Sequence, residues 1–336
     1  MKERKNSIEL LKLFAIITII IGHLLDHFSM RENLMNYLNF KLEYSAKISL
    51  RTDFIFIISG FFLYYNINKA SIAITIQKLY LRLIPDLLIL FICLFLLGLT
   101  KLDNIFGIIS LTCGLSIPGQ IIPFGAWSIG VYFWSSVLYI FILHDKKYNN
   151  MLYVLIICYI GLCLMINTKP ITPFDNISGT YNSVIGTGLT RGIVAIGFGI
   201  LAAVLNNNLN FVKTQTSIII FTILEIFLLC KLIFWLIFKP TNILFLLIAA
   251  SCLIISFYNS CGIISIFLNK KSKINIVSRY AYSMLIMHAL PILYFKSIIT
   301  DPLKFFLLSF CVTVFLGVIV HHLARKITHK LNIFKS

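Results

Sequence analysis

Residues 6–28 read NSIELLKLFAIITIIIGHLLDHF. The apolar run from Ile8 to Phe28 is long enough to cross a bilayer core, which needs about 20 such residues in a helix. It exceeds the length of a signal-peptide core, and no small-residue cleavage site follows it, so it is expected to stay in the protein as a helix. Yet the run contains Glu9, Lys12 and His23, with Asp26 and His27 at its far end. Lys12 and His23 are 11 residues apart, about 20° past three full turns at 100° per residue, so they share one helix face, roughly 16 Å apart along the axis. Glu9 lies one turn from Lys12 and is placed to pair with it. Ionisable side chains in lipid cost several kcal/mol unless paired or turned to a cavity, so each is a candidate for function.

The rest of the 336-residue chain repeats this pattern. Hydrophobic residues make up 59% and charged residues 12%, half of the roughly 25% usual in soluble domains. Mean hydropathy is +0.93. A soluble domain of this size cannot hide so much apolar surface, which excludes an ordinary cytosolic enzyme, a secreted disulfide scaffold and a disordered tail protein. Nine further apolar runs follow, at 47–67, 83–100, 126–143, 151–167, 191–205, 217–236, 242–258, 280–298 and 304–322. The fold class expected is therefore all-α: a polytopic integral membrane protein of about ten transmembrane helices in one domain, 1–336, with no appended soluble domain. With the N-terminus inside, seventeen of the 29 Lys and Arg residues fall in inner segments, seven in outer ones and five within spans. This asymmetry places both termini in the cytoplasm. It also accounts for the net charge of +17 through anionic lipid headgroups, without nucleic acid. The longest outer stretches, 101–125 and 168–190, carry Pro and Gly and can fold back into a cavity mouth. The eight cysteines form no C-x-x-C pair and mostly sit in apolar runs, as buried thiols do. No HExxH, His pair on one face or Cys/His cluster with ligand spacing occurs, so no metal is expected.

Other spans hold polar candidates. Arg51 and Asp53 open the second run; two residues apart, they point to different faces, and each needs a partner on another helix. Gly60, beside Ser59, permits close helix approach. Lys78 and Arg82, one turn apart before Pro85, present two cations at the inner surface, either as snorkelling anchors or as a phosphate clamp. Trp127 and Ser128 open the fourth run where an aromatic belt or a stacked sugar ring both fit. Arg191 opens the sixth run, Glu225 and Lys231 lie in the seventh without a common face, and His288 lies in the ninth. His321 and His322 end the tenth as boundary residues. The Lys12–His23 spacing suits a reaction that crosses the membrane: a cation near the cytoplasm holds an anionic donor such as a CoA thioester, and an imidazole farther out acts as general base on a hydroxyl. The plain alternative for His23 is a hydrogen bond between helices.

Several segments, in order, resemble the membrane acyltransferase-3 family. NSIELLKLFAIITIIIGH (6–23) resembles its opening, where a basic residue, ten residues and a His recur, and Glu9 falls where the family has Asp. RTDFIFIISGFFLYY (51–65) resembles GVDLFFVISGFLI, and LRLIP (81–85) the end of R-x-x-R-I-x-P. AWSIGVYFW (126–134) resembles WSLGVE, RGIVAIGFGILAA (191–203) a later R-x3-F-x2-G-x2-L segment, and SRYAYSMLIMHALPI (278–292) the closing SYSIYLIHxPI. Leu79 replaces the first Arg of the loop motif, with Lys78 adjacent, and Tyr132 replaces the acidic residue of WSLGVE.

The resemblance implies O-acylation of cell-surface glycans in a bacterial cytoplasmic membrane. Acetyl-CoA, or another acyl-CoA, would be the donor, with no permanently bound cofactor. His23, Lys12 and Glu9 would be the catalytic group, and Arg82 and Lys78 would bind the donor. Arg51, Asp53, Trp127, Ser128, Arg191 and His288 would be structural or acceptor-side residues. The acceptor would be a cell-surface polysaccharide or its lipid-linked oligosaccharide precursor, and the oligomeric state stays open between monomer and homo-oligomer. A glycan flippase or transporter, a glycan polymerase and an inactive assembly subunit are the competing readings. No internal repeat supports the transporter, and the outer loops are short and poorly basic for a polymerase.

Overall fold

The computed structural model describes residues 5–25, 49–112, 115, 127–144, 148–167, 180–181, 185–209, 214–237, 243–270 and 277–333. The architecture is helical. In chain order the helices are α1 Asn6–Leu25, α2 Ser49–Asn66, α3 Ile72–Leu96, α4 Ile105–Ile109, α5 Trp127–Leu143, α6 Tyr148–Asn167 and α7 Thr187–Asn208. They continue with α8 Gln215–Ile237, α9 Ile243–Asn259, α10 Ile263–Lys270, α11 Ala281–Met287, α12 Ala289–Phe295 and α13 Pro302–Ile333. One two-residue antiparallel pairing, Thr180–Tyr181 with Ile185–Gly186, precedes α7. A helix lies on each of the ten apolar runs. Among the described residues four helices are long and apolar enough to cross a membrane alone: Asn6–Leu25, Ile72–Leu96, Gly188–Asn208 and Pro302–Lys330. Leu244–Asn259 with Ile263–Lys270 makes a fifth, bent by 53°.

The helices depart from the sequence runs at three places. α3 begins eleven residues before its run, because Ser71 caps it by accepting from the Ile74 amide and no breaker intervenes; the inner loop expected at 68–82 is largely this helix. The ninth run is two short helices meeting at His288. After α3, the turn at Leu97–Leu99 closes by a Schellman pattern, Gly98 to Phe95 and Leu99 to Leu94, with Gly98 at φ +69°. The chain then runs back along α3. Tyr80 donates to the Ile109 carbonyl at 2.8 Å, although Tyr80 lies about 24 Å of helix before Leu96. The start of the outer stretch 101–125 therefore folds back beside the span; most of the remainder lies outside the described residues.

α7 is the centre of the bundle, packed against α2, α5, α6 and α9. Small residues make this possible. A Cβ on Gly60 would stand 2.0 Å from the Ile196 carbonyl oxygen, and one on Gly199 would stand 2.0 Å from that of Ile57. α2 and α7 thus touch backbone to backbone, as the Ser59-Gly60 pair suggests. At the end of the bundle where the chain starts, Ser7 donates to the Phe257 carbonyl at 2.9 Å, and Asn206 to Tyr65 at 2.7 Å. The bend between α9 and α10 is held by Glu225 of α8, fully buried, which accepts from Ser256 (2.8 Å) and from the amides of Gly262 (3.1 Å) and Ser265 (3.2 Å). Glu225 therefore satisfies the backbone groups that a broken helix exposes. Lys231, six residues on, lies over the Phe227 ring instead, 5.7 Å from its centroid.

Candidate active site

Eight of the sequence candidates fall in or beside two polar centres of the bundle, and two others lie at its surface. The first centre joins α1 to the break in the ninth run. The rings of His23 and His288 stack with centroids 5.0 Å apart and planes at 27°. His288 is buried, and its Nδ1 meets the Leu285 carbonyl oxygen. A carbonyl only accepts, so Nδ1 carries the hydrogen and Nε2 is the basic atom of the neutral ring. Three turns below, Lys12 pairs with Glu9 at 3.2 Å, as their spacing predicts, and lies 4.9 Å from the Phe62 ring centroid. The Lys12 side chain is 28% exposed and that of Glu9 12%, so the cation remains reachable from the end of the bundle.

The second centre joins α2 to α7. Arg191 grips Asp53 by two bonds, Nε to Oδ1 at 2.7 Å and Nη2 to Oδ2 at 2.9 Å. Both side chains are 2% exposed. The Trp127 ring lies 5.9 Å from the guanidinium, and Ser128 is buried in the next position of α5. This answers the partner that Asp53 requires. A bidentate buried pair fixes the relative rotation of two helices, because both charges lose their water and accept only one geometry. Arg51 lies in the first turn of α2, and its side chain is outside the described residues. Asp26 and His27 also lie outside them.

Lys78 and Arg82 are both exposed on α3. One turn above Arg82 is Asp86, which sequence reading passed over. It is a buried carboxylate inside the third run, and it accepts a hydrogen bond from Ser283 of α11. Beside it Tyr282 donates to the Leu83 carbonyl at 3.4 Å. The rule that singled out the other intramembrane charges also selects Asp86, since it directly follows Pro85 within the apolar run. Asp86 and Ser283 lock α3 to α11, one turn and a half below the His23–His288 stack. Tyr132, standing where the related segment has an acid, is half-buried and stacks on Phe56 with centroids 6.4 Å apart.

Taken together, the apolar helices, the close-packed α2–α7 core and the half-buried His23 stacked on the buried His288 define a multi-pass membrane protein with a polar interior. Comparison with protein families makes this specific: an acyltransferase domain matches residues 5–322, and the chain belongs to the acyltransferase 3 family. It is accordingly a membrane acyltransferase. No curated protein and no solved structure matches the chain.

Proposed function

We propose that the protein is an O-acyltransferase that moves an acetyl group from cytoplasmic acetyl-CoA to a hydroxyl of a cell-surface polysaccharide or its lipid-linked precursor. In this reading the chain crosses a bacterial cytoplasmic membrane about ten times, with both termini inside. The observation that carries it is the His23–His288 stack. It brings residues 265 positions apart, from the first and the closing family segments, into one centre about 16 Å of helix from Lys12.

The acetyl-CoA enters from the end of the bundle lined by Lys12, Lys78 and Arg82, whose charges attract its phosphates. The acceptor hydroxyl arrives from the other side. His23 takes its proton while the oxygen attacks the thioester carbonyl. The new C–O bond forms, the C–S bond breaks, and His23 returns the proton to the departing sulfur. While His23 is protonated its imidazolium lies against the face of the neutral His288 ring, a stabilising cation–π arrangement. Burial of the His288 ring strengthens that interaction over its value in water. Asp53 and Arg191 hold α2 and α7 in register around this centre rather than touching substrate.

The test is the O-acetyl content of surface glycan, read by NMR from cells carrying the native protein, His23→Ala, His288→Ala or no copy, with membrane levels of each protein measured. The expected result is loss of acetyl signal in the deletion and in His23→Ala, and a decrease of about 100-fold in transfer rate in His288→Ala. Unchanged acetylation in a properly inserted His23→Ala protein overturns the general-base role. A deletion that alters glycan amount or chain length but no acyl group transfers the case to a flippase or polymerase.

A further inference from the structure

The end of the bundle that holds Lys12 and Arg82 has a feature the proposed reaction does not use. α13 is 32 residues long, roughly 48 Å, and so extends well past a hydrocarbon core of about 30 Å. Its last turns, LARKITHKLNI (323–333), lie beyond residue 322, where the family match ends. They pack on the lower part of α3, where Thr328 donates to the Leu81 carbonyl at 3.4 Å. Just above this contact, Tyr280 meets His321 edge-on with centroids 5.1 Å apart, and His322 at 5.8 Å. Arg279 and Arg325 are exposed and both lie within electrostatic reach of His321. On the other side of the α11 start, the Tyr282–Leu83 bond brings Arg82 alongside.

The charge balance here is one-sided. Lys78 and Arg82 of α3, Arg279 before α11 and Arg325, Lys326 and Lys330 of α13 supply six cations here, and the one carboxylate within α3, 277–295 and 321–333 is Asp86. Asp86 is buried against Ser283, and Asp301 sits at the opposite end of α13. Cations gathered without carboxylates attract a multiply charged anion. Rings interleaved with arginines suit a flat base with phosphates beside it. The distance also fits: Tyr280 is about 12 Å of helix below His288, a gap that an extended pantetheine arm can bridge. Building on the acetyl-CoA reading above, we propose that Tyr280, His321 and His322 receive the adenine of the donor while Arg279 and Arg325 hold its 3′-phosphate and diphosphate. The extension of α13 beyond the family match is thus part of the donor site.

The experiment measures KM and kcat of the purified full-length protein in lipid nanodiscs with acetyl-CoA, acetyl-3′-dephospho-CoA and acetyl-pantetheine. Arg325→Gln and Arg279→Gln should each raise KM for acetyl-CoA about tenfold, the loss expected for one charge-assisted phosphate contact. The preference for acetyl-CoA over acetyl-pantetheine should shrink by the same factor. The inference is overturned if both variants keep the native preference. It is also overturned if their effect follows the fraction of anionic lipid in the nanodisc and is equal for all three donors, which assigns the cluster to headgroups. If the native protein takes acetyl from none of the three donors, the acetyl-CoA reading itself falls. Calorimetry with adenosine 3′,5′-bisphosphate then decides this site independently: binding that is lost in Arg325→Gln sustains it, and no binding to the native protein ends it.

Discussion

Asp53 shows how much one buried side chain can decide. Its carboxylate and the Arg191 guanidinium are almost fully removed from solvent, and each supplies what the other needs. Asp53→Asn keeps the volume but leaves a buried positive charge without its counterion, which costs about 3–5 kcal/mol. The expected outcome is a marked fall in the unfolding midpoint of the detergent-purified protein. The double variant Asp53→Asn with Arg191→Met should recover most of it, because removing both charges also removes the uncompensated one. A single variant as stable as the native protein would mean that the pair does not hold α2 to α7. Glu225 is a contrasting case. Its three accepted bonds go to the corner between α9 and α10, so it serves the backbone rather than a substrate.

Among the elements, α2 and α7 are held by the absence of side chains. Gly60→Val would force its branched side chain into the Ile196 carbonyl, which stands 2.0 Å from where a Cβ must be. Backbone cannot yield there without separating the helices, so membrane levels and acyl transfer should both fall severely. Gly98 provides the comparison. Nothing lies within 4 Å of its added Cβ, and only its φ of +69° disfavours a side chain. Gly98→Ala should therefore cost only about 1 kcal/mol and leave transfer nearly native. Equal damage in the two variants, read by membrane level and transfer rate, would show that close helix approach is not what Gly60 provides. The break at His288 also belongs to this scale. It turns one apolar run into two short helices and presents the imidazole at the junction.

For the whole molecule, the proposed orientation rests on charge. The basic end gathers Lys78, Arg82, Arg279 and Arg325 on α3, α13 and the turn before α11, and the positive-inside rule makes it the end proposed to face the cytoplasm. In a cysteine-light background, Lys239→Cys should react with an impermeant maleimide in intact cells, and Lys213→Cys only after the membrane is opened. The reverse pattern would invert the topology and put the proposed donor side outside. Much of the layout was legible beforehand: each of the ten apolar runs carries a helix, and Glu9 pairs with Lys12. The helical start of α3, the turn back to Ile109 and the place of Asp86 were not. Apolar runs mark what lipid tolerates, not where a helix extends into water or how a loop returns.

Hydropathy, charge asymmetry and helical spacing act within one segment, so the sequence alone determined the helices, their order and the shared face of Lys12 and His23. In lipid, an apolar helix face gains nothing by meeting another apolar face rather than a lipid tail. Pairing therefore rests on glycine contacts and on a few buried polar groups, whose partners lie 138 residues apart for Asp53 and Arg191 and 197 for Asp86 and Ser283. Only the tertiary structure decided those pairings, and with them that His23 and His288 share one centre, because each depends on rotations of helices that no local pattern encodes.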